Sequence, residues 1–281
     1  MTTLDYRIVN VFTCDGARLS GNPLCVFESG EALDAATMQA LARQFNLSET
    51  TFILSSRVAD ARVRIFTPDY EMPFAGHPTL GTAHVCRALG LGGDELRLEM
   101  QAGIIPVRAS GERWTLQANA PRWREFEQPR SALAAILGLR DEDIGARPLW
   151  VDTGREQLIV PLASEAAVRR ASPDAAAFSR LAGAAGRSMA YVFAPTAPGR
   201  ALARFFFPSG NAIIEDPATG SATANLGGWL IAVGQALPCA LEISQGEYAG
   251  RPSTLFLQVD GEQRIFVSGA VVELGRGRLS L

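Results

Sequence analysis

Side chains able to move protons are scarce in this sequence. All 26 basic residues are arginines, and the imidazoles belong to His77 and His84. Without lysine, Schiff-base chemistry and a lysine-anchored cofactor are excluded. The four cysteines form no CxxC pair, which argues against a structural zinc site. Any reaction must therefore use carboxylates, hydroxyls, arginines, backbone amides or an imidazole.

Two turns of similar sequence are candidates for binding an anion. Residues 76–78 (GHP) and 219–221 (TGS) each place a glycine next to a polar residue where a helix is predicted to begin. Glycine allows a ligand to approach the backbone, and the N–H groups and dipole of a helix N-terminus attract a carboxylate. If two lobes face each other, both ends converge on one cleft. The alternative is that Thr79, Thr219 and Ser221 are ordinary helix caps.

Three residues are candidates for acid/base roles. Glu49 lies in segment 46–52 (NLSETTF), which joins a predicted helix to an apolar strand. Apolar neighbours in a cleft would raise its pKa, so that it could shuttle protons near neutral pH; a solvated glutamate is the alternative. Asp216 begins an Asp-Pro turn and also suits a structural role. His77 starts a helix, where the dipole favours neutral imidazole, while His84 is expected to be a packing residue.

Short strands dominate the elements that must position these residues. Strands are predicted at 5–12, 51–55, 62–66, 96–100, 104–108, 114–119, 149–151, 157–161, 189–193, 203–207, 241–244, 254–259 and 264–267. Helices are predicted at 33–45, 79–89, 131–137, 173–181 and 222–233. Helices 79–89 and 222–233 lack a polar face, so each must be surrounded by other structure.

An internal repeat organises these elements. The sequence RIFTP at Arg64 recurs as RFFFP at Arg204, 140 positions later, and segment 71–79 aligns with 215–223 at an offset of 144. Gln101 and Gln245 keep that offset. The repeat predicts two similar lobes, residues 1–122 completed by a C-terminal strand at 269–281, and residues 123–268. If the similarity is accidental, the chain is a plain β-rich domain.

Length and composition exclude several classes of protein. The chain has 281 residues, 47% of them hydrophobic, and a net charge of −3, which suits one large or two ordinary folded domains. The mild acidity argues against nucleic acid and anionic membrane surfaces as partners. No apolar run is long enough to span a membrane, and the N-terminus lacks a signal region. A soluble cytoplasmic protein is expected.

Several motifs, in order and spacing, resemble the PhzF family of phenazine-biosynthesis-like isomerases. They are GNP at 21–23, NLSETTF at 46–52, RIFTP at 64–68, EMPFAGHPT at 71–79 and EDPATGSA at 215–222. Together they span nearly the whole chain, and the GHPT and EDPxTGSA elements are highly specific. The resemblance implies the diaminopimelate-epimerase fold, an α+β architecture with two pseudo-symmetric lobes. Each lobe would be a β-barrel around a central helix, with the site between them.

The resemblance also implies roles for individual residues. Glu49 would be the principal acid/base, moving a proton between substrate carbons, assisted by His77 and Asp216. The substrate would be bound by Asn22, Ser48, Gly76, Gly220 and Ser221. Neither metal nor organic cofactor is implied, and a homodimer is expected. The implied substrate is a small carboxylate, such as trans-2,3-dihydro-3-hydroxyanthranilate or another amino-acid-like compound; the alternative is a non-catalytic protein that binds small carboxylates.

The sequence departs from its relatives in two places. Relatives with epimerase activity carry a cysteine at each helix end, whereas here the turns carry His77 and Ser221, so two-thiol racemisation is not expected. Residues 207–209 (FPS) stand where relatives often have Phe-Ala-Pro. The loop that follows residues 207–209 leads to Asp216. The sequence therefore determines the identity of the substrate less well than any other property of the protein.

Overall fold

The computed structural model describes residues 2–15, 17–181, 183 and 186–281. Its helices are α1 (Ala35–Phe45), α2 (Gly76–Ala88), α3 (Arg130–Ile136), α4 (Glu165–Arg170), α5 (Ala175–Phe178) and α6 (Gly220–Ala232), with a 3₁₀ turn at Asp141–Asp143. Its strands are β1 (Thr3–Val11), β2 (Asn22–Phe27), β3 (Glu49–Leu54), β4 (Ala61–Phe66), β5 (Glu71–Met72), β6 (Glu95–Met100), β7 (Gly103–Ser110), β8 (Arg113–Gln117), β9 (Arg122–Glu125), β10 (Leu149–Asp152), β11 (Glu156–Pro161), β12 (Ala190–Ala197), β13 (Arg200–Ser209), β14 (Ala212–Asp216), β15 (Cys239–Gln245), β16 (Ser253–Val259) and β17 (Ile265–Ser280). Within these described residues, no helix combines the length and apolar character needed to cross a membrane.

The chain divides into two compact units. The first comprises Met1–Gln117 and Ser268–Leu281, and the second comprises Ala118–Val267. The lobe boundaries expected from the sequence lie at residues 122 and 268.

In the first unit the strands close into a barrel. β1 pairs antiparallel with β2, β2 parallel with β3, β3 antiparallel with β4, β4 parallel with β6, and β6, β7 and β8 follow as antiparallel neighbours. β17 pairs with both β8 and β1, which completes the ring. Helix α2 contacts β1, β2, β3, β4, β6 and β8, and every residue from Gly76 to Cys86 is buried. α2 is therefore the central helix.

The second unit repeats this order of pairing. β10 pairs antiparallel with β11, β11 parallel with β12, β12 antiparallel with β13, β13 parallel with β15, and β15 antiparallel with β16. β14 forms a hairpin with β13, as β5 does with β4. Helix α6 is the counterpart of α2 and contacts β9, β10, β11 and β16. The predicted α+β fold, with two equivalent lobes each built as a curved sheet around a central helix, is confirmed.

Small residues in the central helices let the sheet approach closely. A Cβ added at Gly81 of α2 would lie 2.6 Å from Leu24 Cδ2, and one at Gly228 of α6 would lie 2.7 Å from Pro121 Cβ. Both distances are shorter than a carbon–carbon contact allows. These glycines are therefore required by packing, as the sequence composition of the two helices suggests.

The repeated Arg-x-Phe sequence has a structural explanation. Arg64 and Phe66 are two positions apart on β4, so both side chains lie on one face of the sheet. The Arg64 guanidinium stacks over the Phe66 ring at 5.1 Å from its centre. Arg64 Nε and Nη2 each donate to the Glu71 carboxylate at 2.7 Å. Arg204 makes the same two contacts in the second unit, with Phe206 at 4.8 Å and Glu215 at 2.6 Å.

Some predicted elements differ from those observed. The helix predicted at 79–89 begins earlier, at Gly76, and the strand predicted at 51–55 begins at Glu49. The prediction missed β2, β5, β9 and β14. β2 has no polar alternation because it is buried almost throughout, and β5 is only two residues long, so neither has a clear periodic pattern.

Candidate active site

Glu49 is presented by the connection between α1 and β3. Helix α1 ends at Asn46, whose left-handed backbone (φ 52°) redirects the chain. Glu49 then begins β3 and pairs with Leu24 on the parallel strand β2. Its side chain is only 18% exposed. Glu49 thus lies at the N-terminal end of a buried strand, and its backbone pairs with β2.

His77 contacts this carboxylate from the start of α2. His77 Nδ1 lies 3.0 Å from Glu49 Oε2, and the imidazole is 5% exposed. When Glu49 is ionised, Nδ1 must carry the hydrogen of this contact, which leaves Nε2 as an acceptor in the neutral ring. Among the described residues Nε2 has no hydrogen-bond partner, although it is buried. The pair therefore combines a carboxylate with an imidazole nitrogen available to a ligand.

The N-terminus of α2 has no side-chain cap. The N-cap residue is Ala75, and the Thr79 hydroxyl donates to the Ala75 carbonyl at 2.6 Å instead of accepting from an amide. The alternative interpretation of Thr79 as a cap is therefore wrong. A Cβ added at Gly76 would meet only Leu116 Cδ2, at an ordinary 3.6 Å. The first N–H groups of α2 are thus left for an anion.

Asn22 and Ser48 lie at neighbouring strand ends in the first unit. Asn22 is the first residue of β2 and is buried, and it shares a face with Leu24, the partner of Glu49. Ser48 immediately precedes Glu49 and is exposed. Because β2 and β3 are parallel, these two residues are at the same end of the barrel as the carboxylate.

In the second unit, Asp216 is held by a pair of polar neighbours. The Thr219 hydroxyl donates to Asp216 Oδ2 at 2.5 Å. Gln245 Nε2 donates to the Thr219 hydroxyl at 3.0 Å and to the Asp216 carbonyl at 2.9 Å, while Gln245 Oε1 accepts from the Thr219 N–H at 3.3 Å. A backbone N–H can only donate, which fixes the amide orientation and makes Thr219 donate to Asp216. Asp216 Oδ2 is therefore an acceptor, as in an ionised carboxylate.

Gln245 was not identified as a functional residue from sequence. The sequence feature that could have pointed to it is its separation from Gln101, which equals the 144-residue offset of the internal repeat. Tyr191 is a second neighbour that the sequence did not single out: its hydroxyl lies 3.4 Å from Thr223 Oγ1. Burial and, more weakly, the Asp216 charge raise the pKa of Tyr191, so it remains a neutral phenol.

The N-terminus of α6 resembles that of α2. Thr219 occupies the N-cap position without a side-chain capping bond, and Gly220 is the first helical residue. The Ser221 hydroxyl accepts a hydrogen bond from Gln157 Nε2 at 3.0 Å rather than from a helix amide. The capping interpretation of Thr219 and Ser221 is therefore wrong, and the first amides of α6 are also left for an anion.

The two units share a scaffold but differ in chemistry. Thr50 pairs with Phe66 as Ala190 pairs with Phe206, so the residues before them, Glu49 and Met189, are equivalent. The helix starts make His77 equivalent to Ser221. Only the first unit thus carries the carboxylate–imidazole pair. Among the described residues, no cluster of three or more histidine, cysteine, aspartate or glutamate side chains has the arrangement of a metal site.

The cysteines do not lie at either helix start. Cys86 is in the last turn of α2, and burial raises the pKa of its thiol to about 12. Cys239 begins β15. Neither can act as the thiolate of a two-thiol pair at the glycine turns.

Known proteins match this chain over nearly its full length. The profile of the PhzC-PhzF family, described as phenazine biosynthesis-like protein, matches residues 9–277. The chain belongs to this family. A trans-2,3-dihydro-3-hydroxyanthranilate isomerase of Pseudomonas chlororaphis is 38% identical over 290 residues, covering 98% of this chain and 99% of the relative. The family expected from the sequence is confirmed.

Solved structures agree with this membership. A PhzF-family phenazine biosynthesis protein of Bacillus anthracis superposes with a TM-score of 0.88 at 26% identity, with 100% of both chains covered. A predicted epimerase of Pseudomonas aeruginosa superposes with a TM-score of 0.81 at 29% identity, with 99% of both chains covered. The two-lobed epimerase-like fold is therefore shared with PhzF-family proteins.

Proposed function

We propose that this chain is a cofactor-independent isomerase that moves a proton between carbons of a small carboxylated substrate. The contact between Glu49 Oε2 and His77 Nδ1 carries this proposal. A largely buried carboxylate, hydrogen-bonded on one side and beside uncapped helix amides, suits a general base that must later act as an acid. The family relationship supports the reaction class, since curated relatives are named isomerases.

The reaction proposed for Glu49 conserves all atoms of the substrate. The carboxylate removes a hydrogen from one carbon as a proton, and the C–H electron pair moves into the adjacent unsaturated system. The protonated Glu49 then returns the proton to a second carbon, which regenerates the carboxylate. His77 Nδ1–H stabilises the ionised state through its hydrogen bond.

The remaining site residues are proposed to bind and polarise the substrate. The uncapped amides at Gly76 and Gly220, with the Ser221 hydroxyl, suit a carboxylate or a developing negative charge. Asp216, which Thr219 holds as an acceptor, suits a donor such as an amine. Asn22 and Ser48 lie at the same barrel end as Glu49 and are proposed to contact the substrate there.

The substrate proposed first is trans-2,3-dihydro-3-hydroxyanthranilate. A relative at 38% identity bears this activity in its name, and the compound has both a carboxylate and an amine. Another amino-acid-like carboxylate is the alternative within the same class. The hairpin of β13 and β14, which carries Phe207–Ser209 and ends at Asp216, is proposed to set this choice.

Isotope exchange tests the proposal. The chain is incubated with trans-2,3-dihydro-3-hydroxyanthranilate in D₂O, and the product is analysed by NMR for deuterium on carbon. We expect exchange with the wild-type chain and a loss of about 10²–10⁴-fold in rate for Glu49→Gln, because one acid/base group typically contributes that factor. The matched control is Glu127→Gln, at an exposed glutamate.

Two outcomes would contradict the proposed isomerase activity. Full activity of Glu49→Gln would reject Glu49 as the acid/base. Thermal stabilisation of the wild-type chain by the compound, without turnover or exchange, would favour the non-catalytic carboxylate-binding protein instead.

A further inference from the structure

A chain of buried hydrogen bonds leads from the backbone of the second unit to Ser221. Asn225 Oδ1 accepts from the Thr153 N–H at 2.9 Å and from the Thr153 hydroxyl at 2.7 Å. Asn225 Nδ2 donates to Gln157 Oε1 at 2.8 Å and to the Arg155 carbonyl at 2.9 Å. Gln157 Nε2 then donates to Ser221 Oγ at 3.0 Å. We call Thr153, Asn225 and Gln157 the amide relay.

The direction of every bond in the amide relay is determined by its first member. The Thr153 N–H can only donate, so the atom of Asn225 that faces it must be the carbonyl oxygen. The other end of Asn225 is then the NH₂ group, which makes the facing atom of Gln157 its oxygen. The Gln157 NH₂ group consequently donates to Ser221, whose oxygen is an acceptor in this bond. The Ser221 hydrogen must therefore point elsewhere.

Burial keeps this arrangement from rearranging. Gln157 is 1% exposed and Asn225 is fully buried. Flipping either amide would place two donors or two acceptors face to face without water to separate them, at a cost of about 1–3 kcal/mol for each unsatisfied group. The buried amides thus fix the direction of the hydrogen bond from Gln157 to Ser221.

The scaffold itself does not need the amide relay. The pairing registers make Gln157 equivalent to Leu24 of the first unit, and the helix starts make Asn225 equivalent to Gly81. Leu24 packs directly against Gly81 there, so closely that a Cβ added at Gly81 would lie 2.6 Å from Leu24 Cδ2. In the first unit, an apolar contact therefore occupies the position that the two amides occupy in the second unit. This indicates that Gln157 and Asn225 orient Ser221 and are not required for the sheet to fold around its helix.

We propose that Gln157 and Asn225 are positioning residues that hold the Ser221 hydroxyl as a hydrogen-bond donor to the carboxylate of the ligand. This inference rests on the proposed function for the class of ligand. It adds that the hydroxyl hydrogen of Ser221, which the bond from Gln157 does not use, is directed at an acceptor on the ligand. Among the described residues, the Ser221 hydroxyl accepts the bond from Gln157 and donates none.

Two ring compounds that differ in one carboxylate test the proposal without turnover. 3-Hydroxyanthranilate carries the carboxylate, and 2-aminophenol has the same ring, amine and hydroxyl without it. Binding of both is measured by calorimetry to the wild-type chain, Gln157→Met, Ser221→Ala and the double variant. The matched control is Gln39→Met, which removes a glutamine donor to the Thr67 carbonyl in the first unit.

We expect Gln157→Met and Ser221→Ala each to weaken 3-hydroxyanthranilate binding about tenfold, as loss of one hydrogen bond to a charged group does. The double variant should be no weaker than Ser221→Ala, because Gln157 acts through Ser221. 2-Aminophenol binding and the Gln39→Met control should be unchanged. Additive losses, equal losses for both compounds, or no binding of 3-hydroxyanthranilate by the wild-type chain would overturn the proposal.

Gln157→Glu keeps the acceptor for Asn225 and provides a second test if Gln157→Met folds poorly. The introduced carboxyl donates to Ser221 when neutral, as the amide does, but can only accept when ionised. We expect binding of 3-hydroxyanthranilate to weaken as pH rises through the titration of that group, relative to the wild-type chain. Part of this weakening should vanish in the Ser221→Ala background; if all of it persists, charge repulsion accounts for it and the proposal fails.

These measurements remain distinct from the test of the isomerase. Binding without exchange in D₂O would reject the proposed reaction and leave the amide relay supported. Turnover that depends on Glu49, together with additive effects of Gln157→Met and Ser221→Ala, would support the reaction and reject the relay.

Discussion

Glu49 and His77 meet through one hydrogen bond, which leaves the second ring nitrogen of His77 without a partner among the described residues. Glu49 Oε2 is engaged by His77 Nδ1, whereas His77 Nε2 is buried without a partner among the described residues. A buried unpaired nitrogen is costly unless something binds it. This unpartnered nitrogen is the reason we propose that the pair belongs to the substrate site.

Gly76 allows stability and binding to be separated at one residue. For Gly76→Ala we expect no loss of thermal stability, because the new methyl meets only Leu116 Cδ2 at 3.6 Å and alanine favours helix. We expect KM for a carboxylated substrate to rise about tenfold, since the methyl obstructs the approach to the helix amides. Thermal denaturation and steady-state kinetics measure the two effects.

Gly93→Ala is the matched control, because a Cβ there meets nothing within 4 Å. An unchanged KM for Gly76→Ala would mean that the substrate does not approach the start of α2.

At the scale of elements, each central helix has an uncapped start and a buried body. The start of α2 carries Gly76 and His77, while its body is buried against the barrel. His84 lies in that body, with Nδ1 3.4 Å from Glu112 Oε2 but without hydrogen-bond geometry. Burial lowers the pKa of His84, so the folded chain keeps this imidazole neutral.

The buried His84 predicts a loss of stability on mild acidification. Below the ordinary histidine pKa of about 6.5, the unfolded chain takes up a proton that the folded chain resists. The unfolded state then binds more protons, and the free energy of unfolding falls as pH decreases through this range. Urea denaturation between about pH 7.5 and 5.5 measures how the free energy of unfolding changes with pH. This range covers about one unit on either side of the ordinary histidine pKa. His84→Gln should flatten this dependence; an unchanged slope would assign the effect to other groups.

At the scale of the whole molecule, the two units repeat one scaffold but carry different polar side chains at equivalent positions. The Arg-Phe-Glu arrangement recurs at Arg64 and Arg204, while Glu49 and His77 have Met189 and Ser221 as their equivalents. The scaffold contacts therefore persist in both units, whereas the contact between a carboxylate and an imidazole occurs in the first. The homodimer implied by the family resemblance stays a prediction.

The repeated ion pairs should differ in their contribution to stability. Arg204 also donates to the carbonyls of Val168, Arg169 and Ala171, and both it and Glu215 are more buried than Arg64 and Glu71. We expect Arg204→Met to destabilise by about 3–5 kcal/mol, because it leaves Glu215 as an uncompensated buried charge. Arg64→Met should cost less. Calorimetry compares the variants, and equal or reversed losses would contradict this ranking.

Contiguous motifs in the sequence were sufficient to predict the family and the repeat. The acid/base roles that the same motifs suggested stay predictions. Residues 71–79 and 215–223 align because each is one unbroken strand–turn–helix segment, whose local order is preserved in the sequence. The all-round apolar composition of α2 and α6 also indicated central helices, since such a surface must be covered.

Partners far apart in the chain could be found only in the folded structure. His77 meets Glu49 across 28 positions, and Gln157 meets Ser221 across 64. Gln157 and Gln245 occur in strands, where an isolated polar residue ordinarily indicates a solvent-facing position. Tertiary packing instead buried both amides, and a buried amide must find partners of matching polarity. That requirement, which acts between strands and helices rather than along the chain, decides which way the hydroxyls of Thr219 and Ser221 point.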